Sequence, residues 1–149
     1  MKAKEKVVII IVALIIASPI LFLISCPIVN DISAKAVADD IAKIPLPDGT
    51  QEAERFSQAG KLVGNGNGMQ FFGAILIKSE LSLEELDSYY SAYRKTEWDY
   101  IVKAQDDGTI GVLYDKYSFK TDVSDGGYYI VYSWGNGISP FDMFDMRGH

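Results

Sequence analysis

The sequence predicts an α+β fold: an apolar transmembrane helix, a short linker helix, then an antiparallel sheet of about five strands with one helix packed on a face. Three observations carry this. Residues 7–29 contain no charged side chain. Beyond Gly49 the chain breaks into short β-branched or aromatic stretches separated by glycine- and aspartate-rich joints. One stretch among them, residues 82–95, has the start signal and apolar spacing of a helix. The order is β-β-α-β-β-β, with an anchor at 1–29, a linker at 30–47 and a body at 48–149.

The anchor reads "VVIIIVALIIASPILFLISCPIV". At about 1.5 Å per residue it makes roughly 35 Å of helix, enough for a hydrocarbon core of about 30 Å. Pro19 should kink it, which a membrane helix tolerates. Lys2, Lys4 and Lys6 precede the run, and Asp31, Asp39 and Asp40 follow it. The positive-inside rule then puts the N-terminus in the cytoplasm and the body outside, in a single-pass cell-membrane protein. Two other readings stay open. A cleaved secretory signal has a similar charge pattern but a shorter apolar part and a polar end. "LISC" up to Cys26 resembles a lipobox, which would make Cys26 a lipidation site after cleavage before it.

In the linker, Ile32, Val37, Ile41 and Ile44 recur at three to five residues, as on an amphipathic helix, with Asp31 or Ser33 placed to cap it. Pro45 and Pro47 forbid continuation, and Asp48-Gly49 signals a turn. The apolar stripe is expected to pack on the body or to prolong the membrane helix.

The body opens on a polar, edge-like strand, "TQEAERFSQAGKLV", and a second strand, "MQFFGAILIKS", whose two faces are both apolar, as in a central strand covered on each side. Between them lies "GNGNG". A phosphate loop needs glycines that lead into a helix, whereas these join two strands, and no Lys-Ser/Thr follows. Asn-Gly suits a hairpin turn because both residues accept positive φ. Asn65 and Asn67 at its tip are candidate partner contacts.

Ser82 and Glu85 have capping-box spacing, and Leu83, Leu86, Tyr90 and Tyr93 follow as an apolar stripe. Tyrosines so spaced read as core rather than as a ligand-binding patch. Three strands should follow, "EWDYIVKAQ", "TIGVLYDKYSFK" and "YYIVYSW", in a meander on short turns. The tail carries Phe141, Met143, Phe144 and Met146. It should either fold back over an uncovered sheet face or offer these residues to a partner.

Composition excludes several functions. Setting Lys2, Lys4, Lys6 and Glu5 aside, 11 basic residues face 19 acidic ones, a formal charge of −8. That balance argues against nucleic acid, whose affinity comes from cations on phosphates. His149 is the single histidine and the last residue, and Cys26 the single cysteine. Ser-His-Asp, Cys-His and histidine-metal arrangements within one chain therefore drop out. Asp106, Asp107, Asp122 and Asp125 remain as carboxylates, but in turns, where aspartate bonds its own backbone. No catalytic residue, metal site or cofactor is expected.

The lysine-tipped span, "IPLPDGT", "KLVGNGNGMQFF", "ILIKSELSLEEL", "YYSAY" with Trp98 nearby, and the final aromatic strand together resemble small bacterial membrane-anchored or lipoprotein-like proteins of unassigned function. The resemblance implies an exported α+β body and carries no catalytic residue. The expected role is a non-catalytic binding module. Membrane lipid surrounds residues 7–29, and an envelope protein or wall component is the candidate partner. The alternatives are an accessory or regulatory subunit of an envelope membrane complex, and an enzyme acting on envelope polymers.

Overall fold

The computed structural model describes residues 3–64, 68–135 and 139–149. Helix α1 spans Ala3–Ile41, and β1 (Thr50–Gly60) and β2 (Gln70–Ser79) follow. Helix α2 (Leu83–Ser91), β3 (Ile101–Ala104) and β4 (Tyr128–Gly135) complete the body. Two 3-10 turns, Asp142–Phe144 and Met146–Gly148, close the chain. The sheet has four strands in the order β1-β2-β4-β3, every neighbouring pair antiparallel.

The anchor and the linker are one helix: the linker prolongs the apolar helix, as one of the two expectations had it, and a separate linker helix does not form. Charged residues begin just after Asn30, although the backbone does not stop there. Asp31 and Ser33 are interior helical residues rather than caps. Pro19 and Pro27 both lie inside α1. The Ser18 hydroxyl donates to Ile15 O at 3.3 Å, the carbonyl that Pro19 leaves without its amide. The helix ends four residues before Pro45, and Gly49, at φ +72°, turns the chain into β1.

The packed side of α1 matches the expected stripe in part: Ile41 and Ile44 are buried and Val37 is half-buried against the core. Ile32 is 62 % exposed, while Cys26, Asn30, Ala34, Ala38 and Ile41 are buried. The first four of these recur every fourth residue, one row along a helix. Their small size lets α1 lie directly on β2. At the contact, a Cβ built on Gly73 would stand 2.3 Å from Ala38 N and 2.7 Å from Val37 C. Glycine inside a strand here marks a close backbone approach.

Strand β2 is central, as its two apolar faces predict. One face sends Ile75 and Ile77 toward Ile41, Ile44, Leu86, Tyr90, Val102 and Val131, so α1 and α2 share it. The other sends Phe72, Ala74 and Leu76 into a second core with Ile110, Leu113, Phe119, Val123, Ile130 and Tyr132. The capping box is formed: Glu85 N donates to Ser82 Oγ at 3.3 Å, and Ser82 N donates to Glu85 Oε2 at 2.8 Å.

The expected fifth strand, residues 109–120, is absent from the described sheet. Only the bridge Thr109–Ser118 forms there. Ile110, Leu113, Phe119 and Val123 are buried beneath the sheet at spacings that do not alternate, so a looped segment covers that face. Glu54 on β1 holds it in place, its Oε2 accepting from Lys120 N and Thr121 N, each at 2.8 Å. The tail therefore does not cover this face, as expected of a folded-back end, but packs beside α1.

Candidate functional site

Two places on the body combine exposed apolar surface with organised polar groups. The first is a cleft of about 500 Å³ between the outward side of α1 and the end of β4. Ile32, Ala36, Val37 and Trp134 supply its apolar lining, and Asp40, Lys43, Lys95 and Asp99 its charges.

The cleft's polar groups are bound to one another. Tyr100 Oη donates to Asp40 Oδ2 at 3.1 Å, and Lys95 Nζ lies 3.8 Å from the same oxygen. Ser133 Oγ donates to Asp99 Oδ1 at 3.1 Å, while Lys95 N and Thr96 N donate to Asp99 Oδ2 at 3.2 and 3.1 Å. Burial, then the Asp40 contact, pushes the Tyr100 phenol up to about 12. Tyr100 holds φ at +53°, a left-handed conformation that an aromatic residue seldom adopts. Strain of this kind persists only where neighbours fix it. Here Arg94, donating to Asp99 O at 3.1 Å, and the Asp40 contact do so. This arrangement holds the cleft's polar groups in fixed positions.

The second place is the junction of the tail with α1. Asn30, fully buried, donates from Nδ2 to Asp145 Oδ2 at 2.9 Å, and Ser139 Oγ donates to Asn30 Oδ1. Arg147 donates to Asp145, to Asp31 Oδ1 at 2.8 Å and to Pro27 O at 3.0 Å. The Arg147 guanidinium, aided by Asn30, holds the buried Asp145 carboxyl at about 2 against an ordinary value of 3.8. Below this polar layer, Phe141 and Phe144 stand edge-on to Phe22, with ring centres 5.4 and 5.2 Å away.

The sequence-derived residues distribute as follows. Phe141 is half-buried, whereas Met143, Phe144 and Met146 point outward, 78, 54 and 88 % exposed. Asn65 and Asn67 lie outside the described residues; the strands they connect do pair, with Gly60 opposite Gln70. Cys26 is buried in mid-helix, its thiol donating to Phe22 O at 3.2 Å. Two of the four turn aspartates bond within their turns. Asp107 accepts from Thr109 N and Asp122 from Ser124 N, each at 2.9 Å, and Asp125 pairs with Lys78. Among the described residues, no group of three or more His, Cys, Asp or Glu is placed to hold a metal ion.

Sequence reasoning missed Asn30, Asp145 and Arg147. A signal was present: Asn30 shares a four-residue spacing with Cys26, Ala34 and Ala38, which marks it as facing the same neighbour. The chain matches no family model, no curated protein and no solved structure.

Proposed function

We propose that the chain is a single-span membrane protein that holds its α+β body on the outer side, and that the body works by binding, with the α1–β4 cleft as its contact surface. The observation that carries the reading is the division of α1. Its most apolar window has a mean hydropathy of 3.3, and none of that window is buried by the rest of the chain, whereas from Cys26 onward the same helix is part of the core. A soluble core helix would be covered along its apolar part. The charge asymmetry of the flanks supports an N-terminus in the cytoplasm. The joined polar groups of the cleft, with Trp134 and Ile32 beside them, support a binding role for an envelope protein or wall component.

Topology is tested with single cysteines on a Cys26→Ala background. A membrane-impermeant maleimide should label Lys116→Cys in intact cells, and Lys4→Cys only after permeabilisation. The opposite pattern refutes the orientation. For the cleft, a photo-crosslinking residue at position 36 should give adducts that the same residue at 116 does not. Equal yields would remove the cleft as the contact surface.

The accessory-subunit reading has one observation in its favour. Ile24, Ile28 and Ile32 form an exposed row every fourth residue, running from the apolar segment into the cleft. Replacing residues 7–25 by an unrelated apolar helix separates the two: activity that survives the exchange belongs to the body alone.

A further inference from the structure

We propose that the C-terminal tail, residues 141–146, is a second lipid contact, a foot that enters the outer leaflet of the same bilayer that α1 crosses. The proposal rests on the single-span reading above. Phe22 lies seven residues before the end of the apolar run at Val29, about 10 Å deeper along the helix axis. Its Cβ points toward the helix N-terminus, deeper still. Phe141 and Phe144 rest against that ring, so the tail reaches past the polar layer of Asn30, Asp31 and Arg147. Met143, Phe144 and Met146 are exposed beside a helix surface that is itself apolar and uncovered. Acyl chains that surround the helix at this level meet the tail residues as well.

The tail's main chain is suited to that setting, where an unpaired amide is costly. Phe144 N donates to Phe141 O at 3.1 Å, and Gly148 N to Asp145 O at 3.1 Å. Met143 N donates to Asp142 Oδ1 at 2.7 Å, Arg147 N to Asp145 Oδ1 at 3.1 Å, and Phe141 N to Ser139 Oγ at 3.3 Å. Of its charged groups, Asp145 is buried against Asn30 and Arg147 reaches up to Asp31, while Asp142 bonds the neighbouring Met143 N through a carboxylate oxygen. The resulting foot presents aromatic and thioether side chains at a depth of about 5–10 Å, as interfacial segments do. With its tail immersed, the length of α1 left to cross alone is residues 7–21, roughly 22 Å, which with the roughly 10 Å beside the tail comes close to the core thickness of about 30 Å.

The test uses the full-length protein, Cys26→Ala, in phosphatidylglycerol–phosphatidylethanolamine nanodiscs, with one bimane-labelled cysteine at 143, 146, 15 or 116. Positions 143 and 146 are exposed enough to carry the label without repacking. Bimane at 143 and 146 should lose fluorescence to nitroxide placed near the headgroups, and lose less to nitroxide at mid-chain. Bimane at 15 should respond most to the mid-chain label, and bimane at 116 to neither. Quenching at 15 without quenching at 143 and 146 overturns the foot and leaves the span standing. Loss of quenching at 15 overturns both. A blue shift at 143 and 146 that appears only with two copies per disc, without nitroxide quenching, assigns the surface to a second copy and overturns the proposal.

Discussion

Replacing Gly73 by alanine should destabilise the body by about 3 kcal/mol. The added methyl would stand 2.3 Å from Ala38 N, 2.7 Å from Val37 C and 2.8 Å from Val37 Cβ. Ordinary van der Waals contact begins near 3.4 Å, so α1 must retreat by about 1 Å along the line where it meets β2. A gap of that width forfeits a quarter to a half of each contact's attraction. The contacts concerned include Ala34 and Phe71 on one side and Ile41 and Ile75 on the other. Overpacking a tight site commonly costs about 1–3 kcal/mol, and a rigid helix against a rigid sheet belongs at the upper end. The assay is urea unfolding of the full chain in detergent, followed by fluorescence of Trp98 and Trp134. Trimming Ala38 to glycine should not rescue the variant, because the methyl meets main chain and not the Ala38 side chain. A Gly73→Ala variant within about 0.5 kcal/mol of the parent would refute the close approach, and rescue by Ala38→Gly would refute its backbone origin.

Acid should weaken the tail before the sheet. The folded Asp145 carboxyl lies below its unfolded value, so its contribution, roughly 2 kcal/mol, is complete above about pH 4 and disappears as pH falls toward 2. Asp145→Asn should flatten that part of the stability–pH curve, measured by chemical denaturation from pH 2 to 6. Among the described residues, the Tyr90 hydroxyl is the buried side-chain polar atom without a hydrogen-bond partner. Tyr90→Phe should therefore leave stability unchanged or raise it by about 1 kcal/mol, in the same denaturation assay. Glu54→Ala removes the acceptor shared by Lys120 and Thr121. Hydrogen exchange should accelerate at those two amides and leave the β2–β4 ladder unchanged, whereas uniform acceleration would show that the loop and sheet open together.

The elements legible in the sequence were those with a strong local code. Strand β2 announced its central place because both of its faces are apolar, and Ser82 with Glu85 fixed the start of α2 through two reciprocal bonds. Residues 109–120 misled because Ile110, Val112, Leu113, Tyr117 and Phe119 have the composition of a strand. Their buried members do not alternate, and burial under a sheet rewards apolar side chains whatever the backbone does. The charges at Asp31 and Lys35 suggested a separate linker helix, but charge marks no helix end, and the alternative that the linker prolongs the anchor is the one realised. The row Cys26, Asn30, Ala34, Ala38 did not read as an apolar stripe because polar Asn30 interrupts it and its other members are small. Gly73, isolated in an otherwise bulky strand, was its one visible counterpart. At the tail, composition marked the apolar residues, but only the folded chain brings Arg147 to Asp31 and Phe144 to Phe22.

The way α1 enters the body has a mechanical meaning. Arg147 braces the turn at Pro27 through its carbonyl, so from Pro19 to Ile41 the helix is a stiff lever of roughly 34 Å. A lean of about 20°, common for membrane helices, displaces the far end of such a lever sideways by about 12 Å. If α1 crosses a bilayer as proposed, thinning or thickening of that lipid would thus swing the whole sheet and re-aim whatever it carries.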